Sequence, residues 1–322
     1  MHHIKHPDLA AFAEDKVNLK KKDVDDQRAE MDELRKRIDK KIADEPGYGI
    51  YKILNAGSVA KGTAISRGGD RDLAVYVREE NVPGDMPGLV IWMRDRVREA
   101  YPELPEDSVK AGTNCVEVIL PSGLKVDVVP ILYSGEPDDI GDLVRKGSGR
   151  KVRTSVRLHL DFIRDRKKKY PHLAQHIRFT KWWVQHQRDR DRNFKCKSFM
   201  VELIWIWLAD NGRLHLDDHV LALEDFFDFV ANGGLDEQIA FTDYLPASSL
   251  PARGNRPIQV LDPVNFDNNV GVRYETADRE KLEAAAAHAY EAISTAHYEP
   301  VVDEAEGLWQ AVMGRTFTRS AA

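Results

Sequence analysis

Apolar residues follow two different spacings along the chain, and the change from one to the other divides it near residue 150. Before that point, apolar side chains at intervals of three and four predict helices over 25–45 and 89–101. Runs rich in Val, Ile, Leu and Tyr predict strands between and after these helices. We place these strands at 48–54, 73–77, 115–120 and 124–132.

Beyond residue 150 the strand signals fade and helical spacing dominates. The sequence shows no internal repeat and no long low-complexity linker. We therefore predict an α+β fold in which residues 1–150 form a mixed sheet with helices, including an N-terminal helix, and residues 151–322 form a helical lobe. The predicted helices of that lobe lie at 153–169, 172–188, 197–210, 219–231 and 277–297.

Composition limits the class of protein. The chain has 322 residues, of which 42% are hydrophobic, and this is enough to build a core and to exclude wholesale disorder. No apolar run approaches the ~18 residues of a membrane span, and the first residues lack the apolar stretch of a signal peptide. The two cysteines, Cys115 and Cys196, make neither a disulfide framework nor a zinc site. We expect a cytoplasmic protein without membrane contact.

Charge is distributed unevenly, although the net charge of −6 on its face argues against a nucleic-acid partner. Residues 145–197 hold 18 Lys and Arg against 4 Asp and Glu, and acidic segments flank this block on both sides. Two interpretations remain open. The block forms helix faces in solvent, or it faces phosphates, either those of a substrate or those of bound DNA or RNA.

Three aspartates are placed in or just before the predicted strands, as a shared functional site would require. Asp70 and Asp72 project from the same side of an extended chain, because side chains alternate with a period of two. Asp72 leads directly into the predicted strand 73–77. Asp127 lies inside an apolar strand, where an acid is costly unless it is paired or binds a metal.

A phosphate-binding element precedes these acids. Gly57 and Ser58 stand before a predicted short helix, whose first backbone N–H groups favour an anion. Three carboxylates beside such an element suit two Mg²⁺ ions, one activating an attacking hydroxyl and the other stabilising a leaving pyrophosphate. The structural alternative is a pair of capping acids, Asp70 and Asp72, with Asp127 in a buried ion pair.

At these residues the chain resembles the DNA polymerase-β-like nucleotidyltransferases, and within them the cGAS/DncV-like group (CD-NTases). The segment 12–19 is similar to that of the clade C bacterial enzymes of CBASS anti-phage systems. The motifs occur in the family's order along nearly the whole chain. Further segments that resemble the group are 159–163, 181–183, 197–203 and 262–270.

The resemblance implies a bilobed enzyme, with the active site in the cleft between a polymerase-β-like core and the helical lobe. It implies template-independent synthesis of a cyclic oligonucleotide second messenger from ATP or other NTPs, with cyclic tri-AMP as the expected product. Two Mg²⁺ ions, or Mn²⁺ in their place, are the implied cofactor. A HORMA-domain protein is the implied activator.

The resemblance also assigns residues. Asp70, Asp72 and Asp127 match the catalytic, metal-binding triad of the family. The positions that match nucleotide contacts are Gly57, Ser58, Lys181, Ser198 and Phe199.

Each of the contacts in the helical lobe has a plainer alternative. The alternative for Lys181 is an ordinary lysine in solvent at the rim of the site. The alternative for Ser198 is the N-cap of the helix that follows it. Phe199 occupies the position where the animal relative, cyclic GMP-AMP synthase, has a tyrosine that stacks on a base. A phenylalanine keeps the ring face without the hydroxyl, and core packing is its alternative.

Other functions stay open from the sequence alone. One is a nucleotidyltransferase that makes linear oligoadenylate or modifies RNA or a small molecule. Another is a non-catalytic nucleic-acid-binding module that uses the basic block. Against the latter, a pure binder has no use for clustered acids beside phosphates.

Overall fold

The computed structural model describes residues 3–43, 49–67, 71–78 and 88–320. Asp70 and the ends of two predicted elements, Glu45 and Tyr48, lie outside these ranges. The helices are α1 (His6–Phe12), α2 (Lys21–Ala43), α3 (Gly57–Lys61), α4 (Leu89–Ala100), α5 (Val156–Lys169), α6 (Leu173–Arg190), α7 (Ser198–Asp210), α8 (His219–Ala231), α9 (Thr276–Tyr298) and α10 (Val302–Met313). The strands are β1 (Ile50–Ala56), β2 (Arg71–Arg78), β3 (Val109–Ala111), β4 (Val116–Ile119), β5 (Lys125–Tyr133), β6 (Gly141–Val144), β7 (Lys151–Thr154), β8 (Gln238–Ile239), β9 (Gln259–Asp262) and β10 (Asn265–Asn269).

By packing, the chain divides into two compact units. The sheet unit comprises the described residues of Leu19–Ala64 and Gly68–Phe162. The helical unit comprises those of Met1–Asn18, Ile65–Arg67 and Ile163–Ala322. These units differ from the predicted division at residue 150. Helix α1 groups with the helical unit because Phe12 packs edge-on against Trp182 and Phe317, whereas α2, which matches the helix predicted at 25–45, belongs to the sheet unit.

The sheet unit is built on a seven-stranded mixed sheet. Its strand order is β1-β2-β5-β4-β3, and β6 pairs with both β5 and β7. The β2–β5 pair is parallel, whereas the other pairs are antiparallel. One face of this sheet is the core: Leu73, Val75 and Val77 of β2 are fully buried in one cluster with residues of α2 and α4. The alternate residues of β2 project to the opposite face.

The structure differs from the predictions after residue 150 in one helix boundary and in the presence of further strands. Residues 151–154 form strand β7 rather than the start of a helix, and α5 begins at Val156, where the Ser155 hydroxyl accepts a hydrogen bond from the Leu158 N–H. Strand structure also continues later, since β8, β9 and β10 form a three-stranded sheet in the helical unit. These strands have two to five residues, too few for a clear alternation.

Helix α7 forms the centre of the helical unit. Nine of its side chains are buried, and the Trp205 ring stacks between His176 and Phe226. Trp205 is therefore a core residue, with 0% of its surface exposed. Among the residues that the structure describes, no helix is both long enough and apolar enough to cross a membrane.

Four histidines meet in the helical unit: His6 of α1, His172 and His176 at the start of α6, and His219 at the start of α8. The rings of His6 and His219 stack with their centroids 3.9 Å apart, and His219 Nδ1 lies 2.9 Å from His176 Nε2. Burial and, after it, the charges of the neighbouring histidines lower the pKa of His176 well below 6.5 and that of His219 to about 3. Both rings are therefore neutral in the folded protein at neutral pH.

We expect this cluster to make the protein less stable in mild acid. Above pH 7 the two histidines are neutral in both states, so they contribute no pH dependence. Below about pH 6.5 the unfolded chain binds protons that the folded chain does not, which favours unfolding by about 1.4 kcal/mol per pH unit for each histidine. Urea unfolding between pH 7.5 and 5.0 should therefore show a smaller slope for His219→Gln. The exposed His288→Gln is the control, and equal slopes for His219→Gln and wild type would show that His219 is already charged in the folded state.

Candidate active site

Carboxylates form a row across three neighbouring strands of the seven-stranded sheet. Asp72 of β2 pairs in register with Asp127 of the parallel strand β5, and Asp127 pairs with Glu117 of the antiparallel strand β4. Paired residues project to the same face, and neighbouring strands are about 4.8 Å apart. The next residue in this row is Lys110 of β3, opposite Glu117. We call Asp72, Asp127 and Glu117 the acidic row.

The core on the other face explains why the acidic row is solvated. Leu73, Val126 and Val128, the chain neighbours of the two aspartates, are fully buried in the core. Because side chains alternate, Asp72 and Asp127 must project away from that core. Both are half-buried, and Glu117 is exposed.

The predicted phosphate-binding element, Gly57 and Ser58, lies directly against the acidic row. Strand β1 ends at Ala56, which is opposite Asp72, and Gly57 follows with a left-handed φ of +68°. A β-carbon added at Gly57 would lie 1.7 Å from Asp72 Oδ2, so the Asp72 carboxylate occupies the space that any other residue would fill. Ser58 is half-buried in the short helix α3. Gly57, Ser58, Asp72 and Asp127 are thus brought together in the sheet unit.

The pKa of Cys115 reflects the negative electrostatic potential beside the acidic row. Burial and, after it, the charges of Asp127 and Glu117 raise the pKa of its thiol to about 12. The thiol donates a hydrogen bond to the Asp127 carboxylate and stays protonated at neutral pH. A site with this negative potential favours cations.

The donor set of the acidic row fits a hard divalent cation. Asp72 and Asp127 offer carboxylate oxygens from two rigid, adjacent strands. Within the described ranges no group of three or more Asp, Glu, His or Cys residues is arranged to hold a metal by itself. The predicted third ligand, Asp70, is outside those ranges, and Mg²⁺ commonly takes its remaining ligands from water and substrate phosphates.

The predicted nucleotide contacts of the helical unit lie on two adjoining helices. Lys181 of α6 is buried, and its Nζ lies 2.6 Å from Glu202 Oε1 of α7 in an ion pair. Lys181 is therefore not a solvated rim lysine. Ser198 is the exposed first residue of α7, and Phe199 beside it is half-exposed. The residue at the cap position of α7 is Lys197, so Ser198 does not serve as the cap.

Known proteins share this chain's organisation. Residues 1–142 match the family model for the Second Messenger Oligonucleotide or Dinucleotide Synthetase domain. A cyclic AMP-AMP-AMP synthase from Escherichia coli strain MS 115-1 is 39% identical over 317 residues, which cover 98% of each chain. The chain belongs to the CdnC-like CD-NTases. It is a nucleotidyltransferase of the cyclic oligonucleotide synthase class, so the predicted enzyme class is confirmed.

Structural comparison agrees with this CD-NTase assignment. Structures of E. coli MS115-1 CdnC, one with ATP and one in a complex named CdnC:HORMA-deltaN, match with TM-scores of 0.88 at 39% identity. They cover 98% of this chain and 99% of the CdnC chain. A CBASS oligonucleotide cyclase CdnC from E. coli strain KTE188 is 27% identical over 300 residues, 90% of each chain. The predicted α+β nucleotidyltransferase fold is confirmed, and enzymes of this class generally use divalent metal ions.

Sequence reasoning missed two acids of this CD-NTase. Glu117 was not singled out, although the turn at 121–123 between the strands holding Glu117 and Asp127 was recognised. Counting back from that turn places Glu117 opposite Asp127, and this signal was available. The pairing of Glu202 with Lys181 could not be predicted, because a single acid in an apolar helix does not indicate which residue of another helix it contacts.

Part of the basic block 145–197 is neutralised within the helical unit. Arg166 forms ion pairs with Asp210 and Asp243, at 3.0 and 2.6 Å, and Lys195 pairs with Asp278 at 2.8 Å. The acids of these pairs come from the acidic C-terminal segment. This pairing favours the structural interpretation for those residues, and DNA or RNA binding by the rest of the block stays a prediction.

Proposed function

We propose that this chain synthesises cyclic tri-AMP from ATP. The observation that supports this most directly is the contact between the Gly57 turn and Asp72, which joins a phosphate-binding element to the acidic row. A relative that is 39% identical along 98% of both chains is named a cyclic AMP-AMP-AMP synthase, and its structure has been solved with ATP. Linear oligoadenylate synthesis is the alternative.

The acidic row supports metal-dependent phosphoryl transfer as the chemistry of this site. We propose that Asp70, Asp72 and Asp127 hold two Mg²⁺ ions, for which Mn²⁺ is a substitute. When bound, such ions polarise phosphoryl oxygens and lower the pKa of a coordinated hydroxyl. Asp72 and Asp127 orient the reacting groups from a rigid sheet, which limits the reorganisation needed in the transition state.

The position of Gly57 beside Asp72 supports the substrate contacts that we propose here. Backbone N–H groups at Gly57 and Ser58 bind the triphosphate of one ATP. The ribose hydroxyl oxygen of a second nucleotide attacks the α-phosphorus, a phosphodiester bond forms, the bond to the β-phosphate oxygen breaks and pyrophosphate leaves. The hydroxyl loses its proton in this step. The last such step joins the two ends of the linear product into a ring.

We propose three further contacts from the helical unit. The Ser198 hydroxyl and the Lys181 ammonium bind the donor phosphates, and the Phe199 ring stacks on a base. For Lys181 this role requires that the ammonium keep Glu202 as its second partner, since a buried acid is costly without one.

The partner proposal comes from the relatives. One relative is named a CBASS oligonucleotide cyclase, and another, CdnC of E. coli MS115-1, was solved in the complex named CdnC:HORMA-deltaN. We propose that this chain acts in the same type of anti-phage system and that a HORMA-domain protein activates it.

The stoichiometry of pyrophosphate release tests the product. A ring formed from ATP alone releases one pyrophosphate for each AMP incorporated. A linear trimer keeps one triphosphate and releases only two for its three nucleotides. We expect equal molar amounts of pyrophosphate and incorporated AMP, and a phosphatase-resistant product with the mass of a cyclic trimer, in reactions with Mg²⁺ and a HORMA-domain partner. Release near two-thirds, with a phosphatase-sensitive product, would instead establish linear synthesis.

A further inference from the structure

The core of the sheet unit ends in a polar contact close to the acidic row. The buried apolar residues of α2 begin at Met31, and Gln27 lies one turn before it on the same face of the helix. The core-facing residues of β2 begin with Leu73, and Arg71 lies two residues before it on the same face of the sheet. Each apolar row is thus preceded by a polar residue, and these two polar residues meet.

Arg71 donates two hydrogen bonds to the side chain of Gln27. Its Nε and Nη2 atoms lie 3.0 and 2.6 Å from Gln27 Oε1. Arg71 is only 3% exposed and Gln27 is half-buried, so water competes little for these donors. Hydrogen bonds from a charged donor are stronger than those between neutral groups, and the planar guanidinium fixes the direction of both. The contact therefore holds the first residue of β2 against α2.

This contact bears directly on Asp72, the next residue in the chain. Because side chains alternate along a strand, an Arg71 side chain fixed on the core face directs the Asp72 side chain to the opposite, solvated face. Asp72 is only the second residue of β2, and secondary structure opens most readily at its ends. The buried Leu73 anchors the backbone on one side of Asp72, and Arg71 anchors it on the other.

We infer that Gln27 and Arg71 are positioning residues for the nucleotidyltransferase reaction: the Arg71 guanidinium, held by Gln27, fixes the orientation of the Asp72 carboxylate. This positioning role rests on the proposed role of Asp72 in holding the metal ions. The contact itself lies on the core side of the sheet, so neither side chain touches the substrate. Its loss frees the start of β2, and a displacement of about 1 Å in a catalytic group can cost about 10²-fold in rate.

Two substitutions of Gln27 separate the hydrogen bond from the rest of the side chain. Gln27→Met keeps the length of the side chain and removes the oxygen acceptor, whereas Gln27→Glu keeps an oxygen acceptor. Glutamine, methionine and glutamate have similar helix propensities, so neither change weakens α2 by itself. At saturating ATP and Mg²⁺, we expect pyrophosphate release to be at least about tenfold slower in Gln27→Met and within about twofold of wild type in Gln27→Glu.

Ile38→Val is the matched control for a loss of stability. Ile38 is fully buried on the same helix, about 16 Å from Gln27 along the helix axis. The smaller valine leaves unfilled space in the core and should lower the unfolding temperature by about as much as Gln27→Met does. Assayed well below both unfolding temperatures, Ile38→Val should keep the wild-type rate. A rate loss in Ile38→Val equal to that in Gln27→Met would show that both losses come from reduced stability, and would overturn the positioning role.

Binding of Mn²⁺ gives a second readout that does not depend on turnover. In the presence of a non-hydrolysable ATP analogue, Gln27→Met should bind Mn²⁺ several-fold more weakly than wild type, and Gln27→Glu should restore the affinity. Unchanged Mn²⁺ affinity in Gln27→Met, or a wild-type rate in Gln27→Met while Asp72→Asn is inactive, would overturn the positioning role alone. A wild-type rate in Asp72→Asn would refute the proposed role of Asp72 and the positioning role with it.

Discussion

Asp127→Asn should reduce pyrophosphate release from ATP by roughly 10³-fold or more while the protein keeps its fold. The change removes one negative charge from a strand position that lies in register with Asp72 on one side and Glu117 on the other. Charge stabilisation by a bound metal contributes several kcal/mol, and each 1.36 kcal/mol is a factor of about ten in rate. The same loss is expected for Asp72→Asn, measured with a coupled pyrophosphate assay.

The controls for Asp127→Asn separate catalysis from folding. Asp39 is exposed on α2 in the same unit, so Asp39→Asn should leave the rate unchanged. Thermal unfolding of Asp127→Asn should stay close to wild type, because the asparagine is isosteric and a repulsion between neighbouring acids is lost. If Asp127→Asn turns over ATP at the wild-type rate, Asp127 is not part of the catalytic machinery.

Gly57→Ala should cost at least about 100-fold in the rate of pyrophosphate release. The new methyl carbon would lie 1.7 Å from Asp72 Oδ2, so either the carboxylate or the phosphate-binding turn must move. A displacement of about 1 Å in catalytic groups can cost about 10²-fold by itself. The loss should appear in the rate at saturating ATP as well as in the ATP concentration needed for half-maximal rate.

The matched control for Gly57→Ala is Gly123→Ala in the turn between β4 and β5. Both glycines have positive φ, +68° and +87°, so both substitutions carry backbone strain of about 1–2 kcal/mol. A β-carbon at Gly123 meets no atom within 4 Å. Gly123→Ala should therefore lose stability and keep its activity. Equal activity losses in the two variants would show that backbone strain, and not the contact with Asp72, accounts for the effect at Gly57.

Much of the fold was predictable because its periodic elements are long or strongly patterned. The helix predicted at 219–231 matches α8, and the strands predicted around Asp72 and Asp127 match β2 and β5. Strand β7 and the sheet of β8, β9 and β10 were not predictable. These strands have only two to five residues each, too few for their own sequences to show a pattern that predicts them.

The candidate site was only partly predictable, because local spacing reveals strands but not how they pair. Local spacing indicated that Asp72 and Asp127 each lie at a strand, but their register depends on the parallel pairing of β2 and β5, whose partners are separated by 55 residues in the chain. The exclusion of a β-carbon at Gly57 depends on the antiparallel pairing of β1 with β2, which places Ala56 opposite Asp72. The ion pair of Lys181 with Glu202 is a contact between two helices that no spacing within either helix specifies.

Binding of Mn²⁺ tests most directly whether the acidic row and the Gly57 turn form the metal–nucleotide site. The bound ion can be counted by electron paramagnetic resonance in the presence of a non-hydrolysable ATP analogue. Wild type should bind Mn²⁺ with an affinity that rises when the analogue is added, and the double variant Asp72→Asn, Asp127→Asn should lose this binding while Asp39→Asn retains it. Unchanged, analogue-dependent Mn²⁺ binding in the double variant would contradict the assignment of the active site to this part of the sheet.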